Sequence, residues 1–388
     1  MYVTRVRFTV IVVAIAVFAT GGGAAASPIA TTQRWRVQFT PNPGAEENRL
    51  VSVSCSSTTA CTAVGRDVNS PIVEHWDGAR WTVQRTPNPR DVRQELNDVS
   101  CTSRAACTAV GNYVDADRRG FPLVERWNGT RWALQWAPPP KGALGTNLSA
   151  VSCAATTSCV AVGTYHKTVA DRTEYFTFAE HWDGSGWKTE TTPSIADASS
   201  VRLTDVSCTS PTSCTAVGNH DVPEGGGYPT RTLAMQWNGT RWELQATPNP
   251  SSEFDVLESV SCTAANACTA VGDYWNPHSV ALVERWDGVR WTLQSAPNPA
   301  EAEYTFLEGV SCTSAIACTA VGSSYSSAGS RTLAERWDGH QWIIETTPNR
   351  TDLATFNSVS CRLGPVCTAV GFSFGGQGPP VTLAARRA

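Results

Sequence analysis

The hydrophobic positions of this chain fall in short runs and nowhere keep a helical period. Segments such as SVSC, CTAVG, ALVERW and RWTLQ are rich in Val, Thr and aromatic residues and are bounded by Gly, Pro and Asn, the signature of strands. We label them strands a, b, c and d, because they return in that order. The first half of the unit, V-S-C-x5-C-x-A-V-G, begins at Val53, Val99, Val151, Val206, Val260, Val310 and Val359, seven copies spaced 46 to 55 residues apart. The second half, W-[DN]-G-x-x-W, occurs six times, from Trp76/Trp81 to Trp337/Trp342. Its Asp-Gly or Asn-Gly supplies the positive φ of a turn joining c to d. A T-P-N-P stretch or a variant of it (Thr40–Pro43, Thr86–Pro89, Thr247–Pro250) ends strand d, because proline has no N–H for the ladder. A period near 50 reads as a solenoid or a propeller, and four antiparallel strands per period make one propeller blade.

The two ends set the count. The last repeat stops at VTLAARRA and lacks strand d, whereas QRWRVQFTPNP near the start is a strand d without a blade. Pairing Trp35–Phe39 with Pro380–Arg386 closes a ring and removes two open sheet edges. The expected fold is all-β, a seven-bladed β-propeller occupying 35–388 as a single domain. Ahead of it, Arg5 and Arg7, the apolar run Phe8–Phe18 and Ala24-Ala25-Ala26 read as a signal peptide over 1–26, followed by a short segment, 27–34. The apolar run is short for a membrane span, and none is expected after cleavage.

Fourteen cysteines, two per repeat and always with five residues between them, carry the sharpest chemistry. Zinc sites show closer pairs with further ligands nearby, so neither a metal site nor any other cofactor is expected. Behind a signal peptide an even count points to disulfides in a secreted, extracellular protein. Each pair brackets the a–b hairpin: Cys55–Cys61, Cys101–Cys107, Cys153–Cys159, Cys208–Cys214, Cys262–Cys268, Cys312–Cys318 and Cys361–Cys367.

Charge narrows the partners. Loss of Arg5 and Arg7 takes the formal net charge from −4 to −6, with no long runs, which excludes the basic stripe of a nucleic-acid binder. Only three cations are lysine (Lys141, Lys167, Lys188). Many arginines hold a fixed place beside Trp, where stacking on the aromatic face accounts for them. His75 and His181 take that same place. Four N-x-[ST] sequons begin at Asn128, Asn147, Asn238 and Asn349, two of them the Asn-Gly turn itself.

A site is expected where the repeat varies. In an antiparallel blade the a–b and c–d turns share one face of the ring, and the b–c and d–a connections share the other. The first face is uniform, whereas the Gly-to-Trp distance across b–c runs 11, 16, 19, 19, 14 and 15 residues. Binding groups sit on such connections, so the b–c face or the central channel is the expected location. The b–c segments 66–72, 112–122, 164–177, 219–230, 273–280, 323–331 and 372–380 carry Tyr113, Tyr165, Tyr175, Tyr228, Tyr274, Trp275, Tyr325 and Phe374. Tyr113, Tyr165, Tyr274 and Tyr325 recur near one repeat position, which points to packing. Trp275 and Trp136 fall outside the repeat pattern. With Tyr175 and Tyr228 they suit carbohydrate, whose C–H faces stack on rings while hydroxyls need polar partners. His166, His220 and His278, with Asp221 and Asp273, complete the candidate ligand-binding set; nothing in their spacing makes them converge.

With these motifs in hand, the chain resembles secreted repeat proteins of actinobacteria across about 35–388, and more distantly kelch and sialidase-type propellers. The resemblance implies a propeller and no particular activity. Kelch blades carry a double Gly after the second strand, where AVG has one. The sialidase S-x-D-x-G-x-x-W spacing is absent from W-[DN]-G-x-x-W, and no local signature matches the sialidase arginine cluster or the copper ligands of galactose oxidase. No catalytic residue carries over. The expectation is a monomeric, non-catalytic binding scaffold that recognises an extracellular glycan or protein. The alternatives are a polysaccharide hydrolase or lyase, which would draw carboxylates from residues such as Asp221, Glu224 and Asp273, and a purely structural envelope protein.

Overall fold

The strands pair within each repeat, and the repeats follow one another round a ring. The computed structural model describes residues 34–388 apart from 45, 69, 88–92, 196, 197, 199, 224–226, 350–352, 363, 364 and 377. The signal peptide, nearly all of 27–34, Pro89 and Glu224 therefore lie outside the described residues. Among the described residues there are seven four-stranded antiparallel sheets and no helix long and apolar enough to cross a membrane. The first six blades span Arg49–Val83, Gln94–Gln135, Gly145–Glu190, Val201–Gln245, Asp255–Gln294 and Tyr304–Ile344. Blade 7 takes strands a to c from Ala354–Arg387 and strand d from Trp35–Gln38. The closing register is Trp35 to Arg387 and Gln38 to Ala384, one residue beyond the expected C-terminal limit; Phe39 lies outside the ladder. This is a seven-bladed β-propeller.

Strand a is the innermost, since successive a strands touch one another round the ring. Blade 3 shows the plan: a Gly145–Ala155, b Ser158–Val169, c Arg172–Trp182 and d Trp187–Glu190. All seven cysteine pairs form the expected bridges, each pair directly opposed in the a–b register with Cα atoms 3.8–4.0 Å apart. The serine of each V-S-C joins the blades. Ser54 accepts the N–H of Cys101, Ser100 that of Cys153, Ser152 that of Cys208, Ser207 that of Cys262, Ser261 that of Cys312, Ser311 that of Cys361 and Ser360 that of Cys55, all at 2.9–3.0 Å. This belt closes on itself.

A second belt runs outside. Strand-c and strand-d tryptophans oppose each other in register, as in Trp76/Trp81 with ring centroids 5.8 Å apart. The strand-d indole then donates to the previous blade's strand-d Gln, as from Trp81 to Gln38 and from Trp132 to Gln84. The arginines beside Trp stack as read: Arg126 lies over Trp182 and Arg285 over Trp337 of the following blades, and His181 meets the edge of Trp237. Where proline ends strand d, the asparagine of T-P-N (A-P-N in blade 5) takes over the ladder, accepting a strand-c N–H from Thr232 (Asn249), Ala281 (Asn298), Thr332 (Asn349) and Thr382 (Asn42) at 2.8–3.0 Å. In the c–d turns only glycine takes positive φ, 93–101°, while the preceding Asp or Asn caps two N–H groups; Asn128 and Asn238 are both so used.

The seam is where the repeat departs from itself. Arg387 stands where other blades have the strand-c Trp, and Glu345 where most have Gln. Arg387 is 2% exposed, pairs with Glu345 at 2.5 Å and lies beside Trp35, whose indole donates to that same Glu345 oxygen.

Candidate functional site

The b–c connections are largely not loops. Blade 3's segment 164–177 is a continuous hairpin, with Thr164 opposite Thr177 and Val169 opposite Arg172; Ala170 and Asp171, both at positive φ, form its two-residue turn. The ladder likewise runs to Ser326/Gly329 in blade 6. Strands therefore extend well into the b–c face, and the strand that reaches the axis is a.

Its axial position is the residue directly after the buried Leu or Phe, two before the V-S-C: Val51, Asn97, Ser149, Thr204, Glu258, Glu308 and Asn357. Each strand carries a register shift here, as between Leu50 and Ser52. Asn97 donates to the carbonyl of Leu148, Thr204 to that of Leu257 and Asn357 to that of Leu50, in each case on the next blade, at 2.7–2.8 Å. Glu258 and Glu308 hold the same position with carboxylates, which accept rather than donate when ionised. One step deeper, Asp98 accepts from Ser52 and the Val151 N–H, and Asp205 from Ser259 and the Val260 N–H; burial raises both carboxyls, and both serve as inter-blade clamps.

Two clefts open at the mouth on the b–c side. One, of about 600 Å³, is lined by Asn97, Asn147, His166, Tyr175, Arg202 and Glu258 among others. There Arg202 pairs with Glu258 at 3.0 Å. The other, of about 540 Å³, has walls of Tyr304, Phe306, Tyr325 and Phe372 with Glu308, Asn357, Ser323 and Thr355. Tyr304 and Phe306 lie near-parallel, 7° apart at 6.5 Å, and Tyr325 meets Phe306 edge-on. Burial, with Glu258 and Asp273 adding negative charge, pushes Glu308 up to about 7. A third, larger cavity of about 810 Å³ sits on the outer side of blade 3, against the segment after its strand d.

The expected site residues divide. His166 and Tyr175, with rings 5.7 Å apart, stand in the wall of the first cleft. Trp275 and His278 meet edge-on, and His278 in turn meets Tyr304, so this pair leads to the second cleft. Tyr228 and Trp136 are free surface aromatics, 65% and 71% exposed, Trp136 just beyond strand d of blade 2. His220 is half-buried, with Nδ1 unpartnered and its basicity lowered by burial; Asp221 accepts from Thr230. The histidines do not converge: among the described residues no group of three or more His, Cys, Asp or Glu is placed to hold a metal. Asp273 lies deeper than the other members of the set. It is only 5% exposed, burial raises it to about 7, and it stands behind the mouth rather than on its surface. Tyr113, Tyr165 and Tyr274 pack against blade cores as read, but Tyr325 is 40% exposed and forms cleft wall.

Strand a supplied what the motif reading passed over: Tyr304, Phe306, Glu308, Glu258, Arg202 and Asn357. The signal is present in the chain. The axial position changes chemistry from blade to blade while its neighbours Leu and V-S-C stay fixed, which marks a side chain free of packing demands.

Fold and mouth together define a disulfide-stapled seven-bladed propeller whose innermost strands line two clefts. The sequence matches no protein-family model and no curated protein. Among solved structures it is similar to YCF48 bound to D1 peptide (TM-score 0.55, 13% identity, covering 91% of this chain and 96% of that one). It is also similar to the WD40 β-propeller domain of Doa1 (0.55, 12%, 91% and 97%) and to YCF48 from Cyanidioschyzon merolae (0.52, 12%, 91% and 98%). At such identities the likeness is one of fold.

Proposed function

We propose that this chain is a secreted recognition module that binds an extracellular glycan, without catalysis, at the channel mouth on the b–c side. The observation that carries this reading is the aromatic cleft between blades 6 and 7. Near-parallel rings and a half-buried carboxyl occupy the variable face, opposite a face held uniform by seven disulfides. Rings for sugar C–H faces beside polar groups for hydroxyls are what carbohydrate recognition needs. The bridges and the N-terminal leader both fit an oxidising, extracellular setting. The test is binding of the mature, oxidised protein to a broad glycan array, repeated with Phe306→Ala. Binding that survives Phe306→Ala undiminished would remove this cleft from the reading.

A polypeptide partner is the second reading, favoured by the peptide-bound state of one structural neighbour, YCF48. A third, hydrolysis, draws on Glu308 and Glu258: one carboxyl raised to about 7, the other paired with Arg202. Burial raises Glu258 as well, against the pull of Arg202, and two neighbouring carboxyls are the groups glycoside cleavage draws on. Assaying the same wells for released reducing ends separates catalysis from retention.

A further inference from the structure

We propose that the cleft between blades 6 and 7 selects glycans bearing a free, protonated amino group, such as unacetylated glucosamine units; this rests on the glycan reading above. Three observations converge on a cation. Glu308 stands at an axial position where Asn97, Thr204 and Asn357 each donate to a neighbouring carbonyl, and an ionised carboxylate there can only accept. The nearby charges are unbalanced: Glu258 and Asp273 both act on Glu308, while the cation that opposes them, Arg202, is already paired with Glu258. Among the described residues no ion pair reaches Glu308.

The walls agree with the floor. Tyr304, Phe306, Tyr325 and Phe372 present aromatic faces and edges around the carboxyl, and such faces attract a cation. An ammonium brings three donors and no acceptor, which meets Glu308 and the Asn357 side-chain oxygen together. A sugar stem fits better than a lysine stem for two reasons. Tyr304 and Phe306 lie within 7° of parallel and offer successive flat faces along one strand, suited to pyranose rings. At about 540 Å³ the cleft has room beyond a single side-chain tip.

The experiment titrates the mature, oxidised protein with three tetrasaccharides: β-1,4-linked glucosamine, its fully N-acetylated form, and β-1,4-linked glucose, with an oligolysine peptide alongside. The glucosamine oligomer should bind about tenfold tighter than either neutral one, the scale of one desolvated charge contact. Glu308→Gln should erase that preference while keeping affinity for the neutral oligomers, and Phe306→Ala should weaken all three. Unchanged thermal melting and unchanged oxidised mass would certify that both variants fold. Equal binding of the N-acetylated or glucose oligomer overturns the ammonium selection and leaves the glycan reading standing. Glu308-dependent binding of oligolysine without the sugar overturns the sugar stem. Absence of glycan binding across the whole array overturns both readings together.

Discussion

Thr189 faces Glu180 across strands c and d of blade 3, and its hydroxyl donates to Oε1 at 2.8 Å. Four other blades keep the glutamate but place Val83, Leu134, Leu293 or Ile344 opposite it. There both carboxyl oxygens of Glu74, Glu125, Glu284 and Glu335 are buried without a hydrogen-bond partner, and burial holds the carboxyls up at about 8, or about 9 for Glu284. With its one donor, and despite added charge from Glu190, Glu180 rises only to about 7. The E of ALVERW is thus a neutral acid in the interior of the blade.

These acids set the pH dependence of the fold. An unfolded glutamate releases its proton near 4.5, whereas the folded ones hold theirs to about 8. Between those values the folded state binds more protons, so stability falls as pH rises through the window and levels off above it. Thermal melts at stepped pH should show the midpoint dropping steadily from pH 5 to pH 9. A midpoint that rises over that range would show the carboxyls ionised in the folded protein. Glu284→Met copies the Met235 already present in blade 4; it should leave the pH 5 midpoint nearly unchanged and raise the pH 9 midpoint.

The hydroxyl can be moved. Thr189→Val removes the donor to Glu180 and should destabilise by about 1 kcal/mol, the net worth of one hydrogen bond. Leu293→Thr offers Glu284 the same donor and should raise the melting midpoint at pH 8. If Leu293→Thr lowers it instead, the lost apolar cover over the acid outweighs the new bond.

Arg387 and Glu345 carry ring closure. Removing one partner of a buried pair leaves an uncompensated charge, and Arg387→Ala should cost about 3–5 kcal/mol. Limited proteolysis should then release the Trp35–Gln38 strand before the rest of the ring opens. The double substitution Arg387→Trp/Glu345→Gln restores the pairing found in other blades and should recover most of the loss. Failure of the double variant to recover would mean that the seam needs its ion pair for a reason other than standing in for the strand-c Trp.

Architecture was legible because strand, turn and cysteine spacing repeat, and a deficit of strand d at one end answers a surplus at the other. The candidate site was legible only in part. His166, Tyr175, Trp275 and His278 stand near the mouth because the b–c hairpins lean over it. Glu308 and Phe306 were hidden because they belong to strand a, where a reading of hairpins and loops expects scaffold. The buried glutamates were hidden for the opposite reason: a charged residue beside Arg and Trp reads as surface. Only the strand register shows Glu74 opposite Ala63 inside the blade.

The serine belt is the last test of how the blades cohere. Ser152→Ala leaves the Cys208 N–H without its acceptor between blades 3 and 4. An unsatisfied amide of this kind costs about 1–3 kcal/mol when water cannot reach it. Because the belt is closed, any one of its seven serines should give a loss in that range, and two substitutions on opposite sides of the ring should add, being far apart with no shared partner. Chemical denaturation of Ser152→Ala, Ser360→Ala and the pair measures this directly. A double-variant loss well above the sum would show that the belt acts as one cooperative unit. A negligible loss for each would mean that water enters the channel and replaces the hydroxyl.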